Sequence, residues 1–177
     1  KKMPELLFSI SSITRAMRVG EREGEKYNFI TRERFEDMLK NDRLLEHNEF
    51  VGNYYGTPRE PVERAVANGQ DMVIEVDVNG AAQIREKMPE AVSIFIMPPS
   101  FAELKRRLSG RGTESEELIQ KRLASALGEI KRAAEYDYIV VNEDITAAAD
   151  DIMSVILSSR LKTDRQTKII DEVLSEC

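Results

Sequence analysis

Short apolar runs alternate with amphipathic stretches along this chain. Leu6-Leu7-Phe8-Ser9-Ile10, Met72-Val73-Ile74-Glu75-Val76, Val92-Ser93-Ile94-Phe95-Ile96-Met97 and Tyr138-Ile139-Val140-Val141 hold apolar residues at successive positions. That pattern predicts strands buried on both faces. Between them, apolar residues recur at helical spacing. Thr31 is placed to cap a helix carrying Phe35, Met38 and Leu39. Pro61, Val62, Ala65 and Val66 line one face of a second helix, which Gly69 ends. Ser100 with Glu103 forms a capping box ahead of a third, and Thr113 with Glu116 a capping box ahead of a long fourth. Residues 146–160 and 164–175 read as two more helices. Strands separated by helices predict an α/β fold with a parallel sheet.

One stretch breaks the rhythm. Residues 16–57 hold Tyr27-Asn28-Phe29-Ile30, Leu44-Leu45-Glu46-His47 and Tyr54-Tyr55-Gly56-Thr57, punctuated by Gly20, Gly24 and Gly52. This reads as a small antiparallel or mixed insertion with a helix of its own. A ligand between such an insertion and the strand ends is the usual arrangement in open α/β folds.

Composition narrows the chemistry. With 177 residues, 41% apolar and 33% charged, the chain suits one compact domain carrying an insertion, with no need of disulfides. Its one Cys is the terminal Cys177 and its one His is His47, which argues against disulfides, cysteine-rich zinc sites and His-based triads. A net charge of −6 argues against bulk nucleic-acid binding. No apolar run reaches the roughly 20 residues that span a bilayer, and the N-terminus has no signal-peptide core, so a cytoplasmic protein is expected.

Four clusters could carry chemistry, and each has a plainer reading. Ser11-Ser12-Ile13-Thr14-Arg15-Ala16-Met17-Arg18 follows a strand. Two arginine forks there could converge on a phosphate, or Arg15 and Arg18 could be solvated loop residues. Phe50–Thr57 is glycine-bracketed and aromatic, and its paired tyrosines could pack a small sheet or touch a ligand. Glu46 nearby is either a surface charge or an acceptor for two adjacent N–H donors, as guanine presents. Asp77, at a strand end before Gly80, could handle Mg²⁺ near phosphates. Arg106, Arg107, Arg111 and Arg122 flank Gly110-Arg111-Gly112-Thr113. They could close over transferring phosphates, or form a charged helical face with Glu103, Glu114, Glu116 and Glu117.

Read in order, the motifs are Ser11-Ser12-x-Thr14-Arg15-x-x-Arg18, Gly20-Glu21-x-x-Gly24-x-x-Tyr27-x-Phe29, Gly52-Asn53-Tyr54-Tyr55-Gly56-Thr57 and Glu75-x-Asp77-x-x-Gly80. Pro98-Pro99-Ser100, Gly110-Arg111-Gly112-Thr113-Glu114 and Val141-Asn142-x-Asp144 follow. Together they resemble the guanylate kinase family from about residue 8 to 160. The resemblance implies a P-loop kinase-like parallel sheet flanked by helices, with a GMP-binding insertion over 16–69 and a helical lid over 106–122. It implies phosphoryl transfer from ATP to GMP with Mg²⁺. Arg15, Arg18, Tyr27 and Tyr55 would hold the GMP phosphate, with Ser11 nearby. Glu46, Thr57 and Asp77 would recognise guanine, with Asp77 also near Mg²⁺, through water. Arg107, Arg111 and Arg122 would contact the ATP phosphates and the transferring group, and Asn142 would line the adenine side.

Ile13, Met17 and Asn79 stand where the family usually has Thr, Pro and Gln. A larger departure is that no Gly in the chain is followed by Lys, so no Gly-x-x-x-x-Gly-Lys loop is present. The family places a strand, that loop and a helix ahead of the residue-8 region. Without them, negligible turnover is expected. The competing expectation is a catalytically dead relative that binds GMP or phosphorylated protein segments through the same clamp. Glu46, Thr57, Asp77 and the lid arginines weigh against it, since a phosphopeptide reader needs no guanine site. The sequence is silent on oligomeric state.

Overall fold

A computed structural model of the chain describes residues 3–109 and 116–176. They gather into two compact units, Lys1–Ala91 and Val92–Cys177.

In the first unit, β1 (Leu7–Phe8) runs parallel to β6 (Met72–Val73), with Leu7 beside Met72 and Phe8 beside Val73. Both strands are shorter than their apolar runs predict. The chain leaves β1 after the Ser9 N–H reaches the Val73 carbonyl at 2.9 Å, and it leaves β6 for the helix that Asp77 caps. Burial on both faces is also corrected: Phe8 is 68% exposed, and Ile139 of the fourth run is 51% exposed.

A four-stranded mixed sheet follows, in the order β3 (Tyr27–Phe29), β2 (Ser11–Ile13), β5 (Asn53–Pro58), β4 (Leu44–Phe50). It takes in Ser11–Ile13, upstream of the expected insertion boundary at 16. β2 and β3 are parallel, and the pairings of β5 with β2 and with β4 are antiparallel. Strand alternation divides the side chains of β4 and β5 between two faces. Tyr54 stacks on Phe35 of α1 (Arg32–Lys40), ring centres 5.2 Å apart and planes at 21°. Tyr55, Glu46, Asn48 and Thr57 belong to the other face, with Glu46 opposite Thr57 and Asn48 opposite Tyr55. Thr31 caps α1 as expected, accepting the Arg34 N–H at 3.2 Å. α2 (Arg59–Ala67) ends at Asn68, and Gly69 then takes φ +68°.

The helix α3 (Val78–Lys87) fixes the site. Its sequence alternates with no strand period, and its N-cap is Asp77, which accepts the N–H groups of Asn79 and Gly80 at 2.9 and 2.8 Å. Gln83 clasps β4 twice, accepting the His47 N–H at 3.1 Å and donating to the His47 carbonyl at 2.9 Å. Lys87 Nζ donates to the Leu44 carbonyl at 2.9 Å. Beneath these bonds, Leu45, Val62 and Ile84 form a buried core with Met72, Ile74, Val76, Met88 and Ala91 packed against it. That core joins β4, α2, β6 and α3, so the sheet edge and the helix start are held at fixed separation.

In the second unit, β7 (Ile94–Met97) runs parallel to β8 (Tyr138–Val141), register Ile94 to Tyr138. α4 (Phe101–Ser109) begins where expected, with Ser100 Oγ accepting the Glu103 N–H at 3.1 Å. α5 (Glu116–Lys131) follows, and the Thr113 cap expected for it lies outside the described residues. α6 (Ile145–Arg160) is capped by Asp144, which accepts from Thr146 and Ala147 at 2.9 Å. α7 (Thr167–Ser175) closes the chain. None of the described helices is long and apolar enough to cross a membrane.

Candidate active site

An open cleft of about 290 Å³ lies within the first unit, lined by Ser11, Tyr27, Glu46, Asn48, Phe50, Tyr55 and Gly56 from the sheet, and by Glu75, Val76 and Asp77 leading into α3. One end is aromatic, the floor acidic.

Arg15 stands behind the aromatic end, beside the lining residues Tyr27 and Tyr55. Its Nη1 and Nη2 donate to Glu21 Oε2 and Oε1 at 2.7 and 2.6 Å. The guanidinium also lies 5.3 Å from the Tyr27 ring centre and 5.6 Å from that of Phe29, within cation–π range. Glu21 further accepts the Arg18 backbone N–H at 2.7 Å, so one carboxylate ties the 15–21 loop together. The hydrogen bonds from Arg15, then from the Arg18 backbone, hold the Glu21 carboxyl down to about 2. The same pairing, with a smaller contribution from Tyr55, raises Arg15 further above its already high range. The Arg18 side chain is exposed, off the cleft lining. Ser11 and Tyr55 lie on the lining.

The acidic floor is built on β4, β5 and the α3 cap. Glu46 is 6% exposed, and its Oε1 accepts the hydroxyl of fully buried Thr57 at 2.7 Å. Thr57 therefore sits beneath Glu46 and orients it. Burial pushes the Glu46 carboxyl above its ordinary range, the Thr57 hydrogen bond opposes the shift, and the Asp77 charge adds to it. Gly80 is required here: a Cβ at that position would stand 2.8 Å from Glu46 Oε2 and 3.0 Å from Val76 Cβ. Asp77 completes the floor, with Oδ1 on the helix N–H groups and Oδ2 accepting Asn48 Nδ2 at 2.5 Å. Among the described residues no group of three or more His, Cys, Asp or Glu side chains is arranged to hold a metal ion.

The departures from the family pattern fall outside this lining. Ile13 is fully buried, so it fills the core rather than the wall, and Met17 is 48% exposed. Asn79 occupies the second turn position of α3, and its N–H serves the Asp77 cap.

The remaining candidates lie in the second unit. Arg107 Nε donates to Glu103 Oε1 at 2.6 Å, and Arg106 meets both oxygens of the same carboxylate at 2.6 Å. Those bonds hold the Glu103 carboxyl down to about 2. The acidic partner read from the sequence is present, and Glu103 spends its charge on the arginines rather than completing the capping box. Arg122 lies half-buried on α5, and Asn142 follows β8, its N–H on the Met97 carbonyl at 2.8 Å. Arg111 lies outside the described residues.

Sequence reasoning assigned no role to Glu21 or Asn48, yet both grip the predicted residues directly. Neither carries a local signal, because Glu21 meets Arg15 across six positions and Asn48 meets Asp77 across 29.

Comparison with known proteins agrees with the order of motifs. The family model described as Guanylate kinase matches residues 2–159. The chain is 48% identical over 168 residues to a guanylate kinase of Escherichia coli, covering 95% of this chain and 81% of that protein. It is 43% identical over 173 residues to one of Desulfitobacterium hafniense, covering 98% and 86%. Its fold matches a crystal structure of guanylate kinase from Anaplasma phagocytophilum with a TM-score of 0.78 at 40% identity, over 92% of this chain and 80% of that one. With its α/β fold, its motif order and these likenesses agreeing, the chain belongs to the guanylate kinase family.

Proposed function

We propose that the cleft of the first unit is the GMP site of an ATP:GMP phosphotransferase acting in cytoplasmic purine nucleotide metabolism. The supporting observation is a cleft that holds a buried carboxylate on a built seat and whose lining tyrosines, Tyr27 and Tyr55, are backed by Arg15. Arg15 receives the GMP phosphate with Arg18, Tyr27, Tyr55 and Ser11. Both terminal nitrogens of Arg15 already face Glu21, so the phosphate takes the remaining guanidinium hydrogens while Glu21 keeps the plane fixed. Glu46, held by Thr57, accepts adjacent N–H donors of guanine, and Asp77 adds a further acceptor. Adenine offers no such donor pair to a carboxylate, which gives the base preference.

In the transfer, an oxygen of the GMP phosphate attacks the γ-phosphorus of ATP, that P–O bond forms, the bond to the bridging oxygen breaks, and ADP leaves. The acceptor oxygen is already ionised, so no nucleophilic side chain or general base is needed. The protein contributes position and charge neutralisation. Arg107, Arg111 and Arg122 are assigned to the ATP phosphates and the transferring group, and Asn142 to the adenine side. Mg²⁺ neutralises phosphate charge when bound. Asp77, with both oxygens engaged by protein donors, would meet a hydrated ion only through water.

Titration of the protein with GMP and with guanosine tests the site. GMP should bind at least tenfold more tightly, since guanosine lacks the group Arg15 receives. Equal affinity would mean that Arg15 does not serve a phosphate site.

A further inference from the structure

Asn48 is the next residue after Glu46 on the cleft face of β4, about 6.8 Å further along the strand. It lines the same cleft, and its amide nitrogen donates to Asp77 Oδ2. A carboxylate offers about four lone-pair directions. Two at Asp77 are taken by the N–H groups of Asn79 and Gly80 on Oδ1, and a third by Asn48 on Oδ2. One acceptor direction remains, and it is on the oxygen that Asn48 grips. Asp77 is thus an acceptor with a single vacancy whose direction is set from both sides: the helix cap fixes one oxygen and the strand amide the other.

We infer that Asn48 is a specificity-determining positioning residue, holding the free lone pair of Asp77 toward the 2-amino group by which guanine differs from hypoxanthine. The inference rests on the base site proposed above and deepens it. Glu46 accepts the ring N–H that both purines carry and one hydrogen of the 2-amino group, which leaves the second amino hydrogen without a partner. A second acceptor is needed, and an exposed carboxylate free to rotate would spend part of its interaction on ordering itself. The cap removes that freedom at Oδ1, and Asn48 removes it at Oδ2. The amide also supplies a donor where a carboxylate of the same shape would repel Asp77.

Calorimetric titrations with GMP and with IMP, on the wild-type chain and on Asn48→Ala, Asn48→Asp and Asp77→Asn, test this. Asp77→Asn keeps a good helix cap while losing the charge, so α3 survives it. Wild type should prefer GMP. Asn48→Ala should lose about tenfold in GMP affinity with less than a threefold change for IMP, and Asn48→Asp should lose at least as much. A residue that only supported the fold would weaken both ligands alike. An unchanged GMP-to-IMP ratio in both Asn48 variants overturns the inference. If Asp77→Asn still collapses that ratio, the base site stands and only the role of Asn48 fails. If Asp77→Asn leaves the ratio intact as well, the assignment of Asp77 to the base fails with it.

Discussion

Arg15 and Glu21 meet end-on, two nitrogens to two oxygens at 2.7 and 2.6 Å, with the Arg15 side chain 12% and the Glu21 side chain 25% exposed. A bidentate pair of this kind fixes the guanidinium plane as well as its position. The guanidinium proposed to receive the phosphate is therefore already oriented by Glu21. Arg15→Ala should weaken GMP binding by more than about 1 kcal/mol, since it removes charge-assisted hydrogen bonds. Glu21→Gln should weaken it by a smaller factor, because the arginine remains but is no longer pinned. A Glu21→Gln variant that loses more than Arg15→Ala would reverse this assignment of direct and indirect roles.

The same pair makes a statement about acid. A carboxyl held at about 2, below its ordinary 4.5, stabilises the fold above the unfolded value, and that contribution is lost as pH falls from about 4.5 toward 2. Thermal midpoints of wild type and Glu21→Gln should therefore converge over that interval. A difference that stays constant through it would mean the ion pair does not stabilise the folded chain.

Glu46 behaves in the opposite sense. Burial raises its pKa above the unfolded value, so its contribution to stability is full at low pH and lost as pH rises through the folded value. Glu46→Gln keeps an oxygen for the Thr57 hydroxyl and carries no charge. That variant should match or exceed wild-type stability at pH 7, with the gap closing in acid, while its GMP affinity falls at least tenfold for want of a charged acceptor. Destabilisation at pH 7 would show that the ionised carboxylate is better compensated than its surroundings indicate.

The turn joining β4 to β5 places Val51 at φ +49° and Gly52 at φ +72°. Two successive residues of positive φ make the tight hairpin turn that favours Asn-Gly, and a β-branched residue is ill suited to the first position. Val51 is 80% exposed, so its side chain earns little burial there. Val51→Asn should stabilise the chain by about 1 kcal/mol, read as a higher urea midpoint with an unchanged slope. No gain would indicate that the turn carries no strain.

Gly80 lies inside a helix, where Ala is favoured by about 1 kcal/mol. The added methyl would press on Glu46 Oε2 at 2.8 Å and Val76 Cβ at 3.0 Å. Gly80→Ala should lose GMP affinity severalfold as the carboxylate is displaced, with little net change in stability. Intact GMP binding would mean that the Glu46 carboxylate tolerates displacement.

Much of the frame was legible in the sequence because it is local. Thr31 and Ser100 announce helix starts through bonds to residues three positions on, and Gly69 ends α2 through its own φ. α3 was not legible, because Asp77 carries two meanings, and its placement at a strand end suggested ion chemistry before helix capping. Apolar runs such as Leu6–Ile10 located strands but neither their length nor their burial, which depends on what covers Phe8. At the site, strand alternation separates a tyrosine pair that the sequence leaves ambiguous: Tyr54 goes to the α1 core and Tyr55 to the cleft lining. The roles of Glu21 and Asn48 were not legible because their partners are chosen by loop closure and by the packing of α3 on β4.

The central claim is that the cleft between the four-stranded sheet and α3 is built for guanine and phosphate together. Calorimetric titration of the wild-type chain with GMP, against AMP as control, tests it most directly. The account predicts saturable binding of one GMP per chain, with AMP at least a hundredfold weaker. Equal affinity for the two nucleotides, or no GMP binding by a chain shown to be folded, would contradict it.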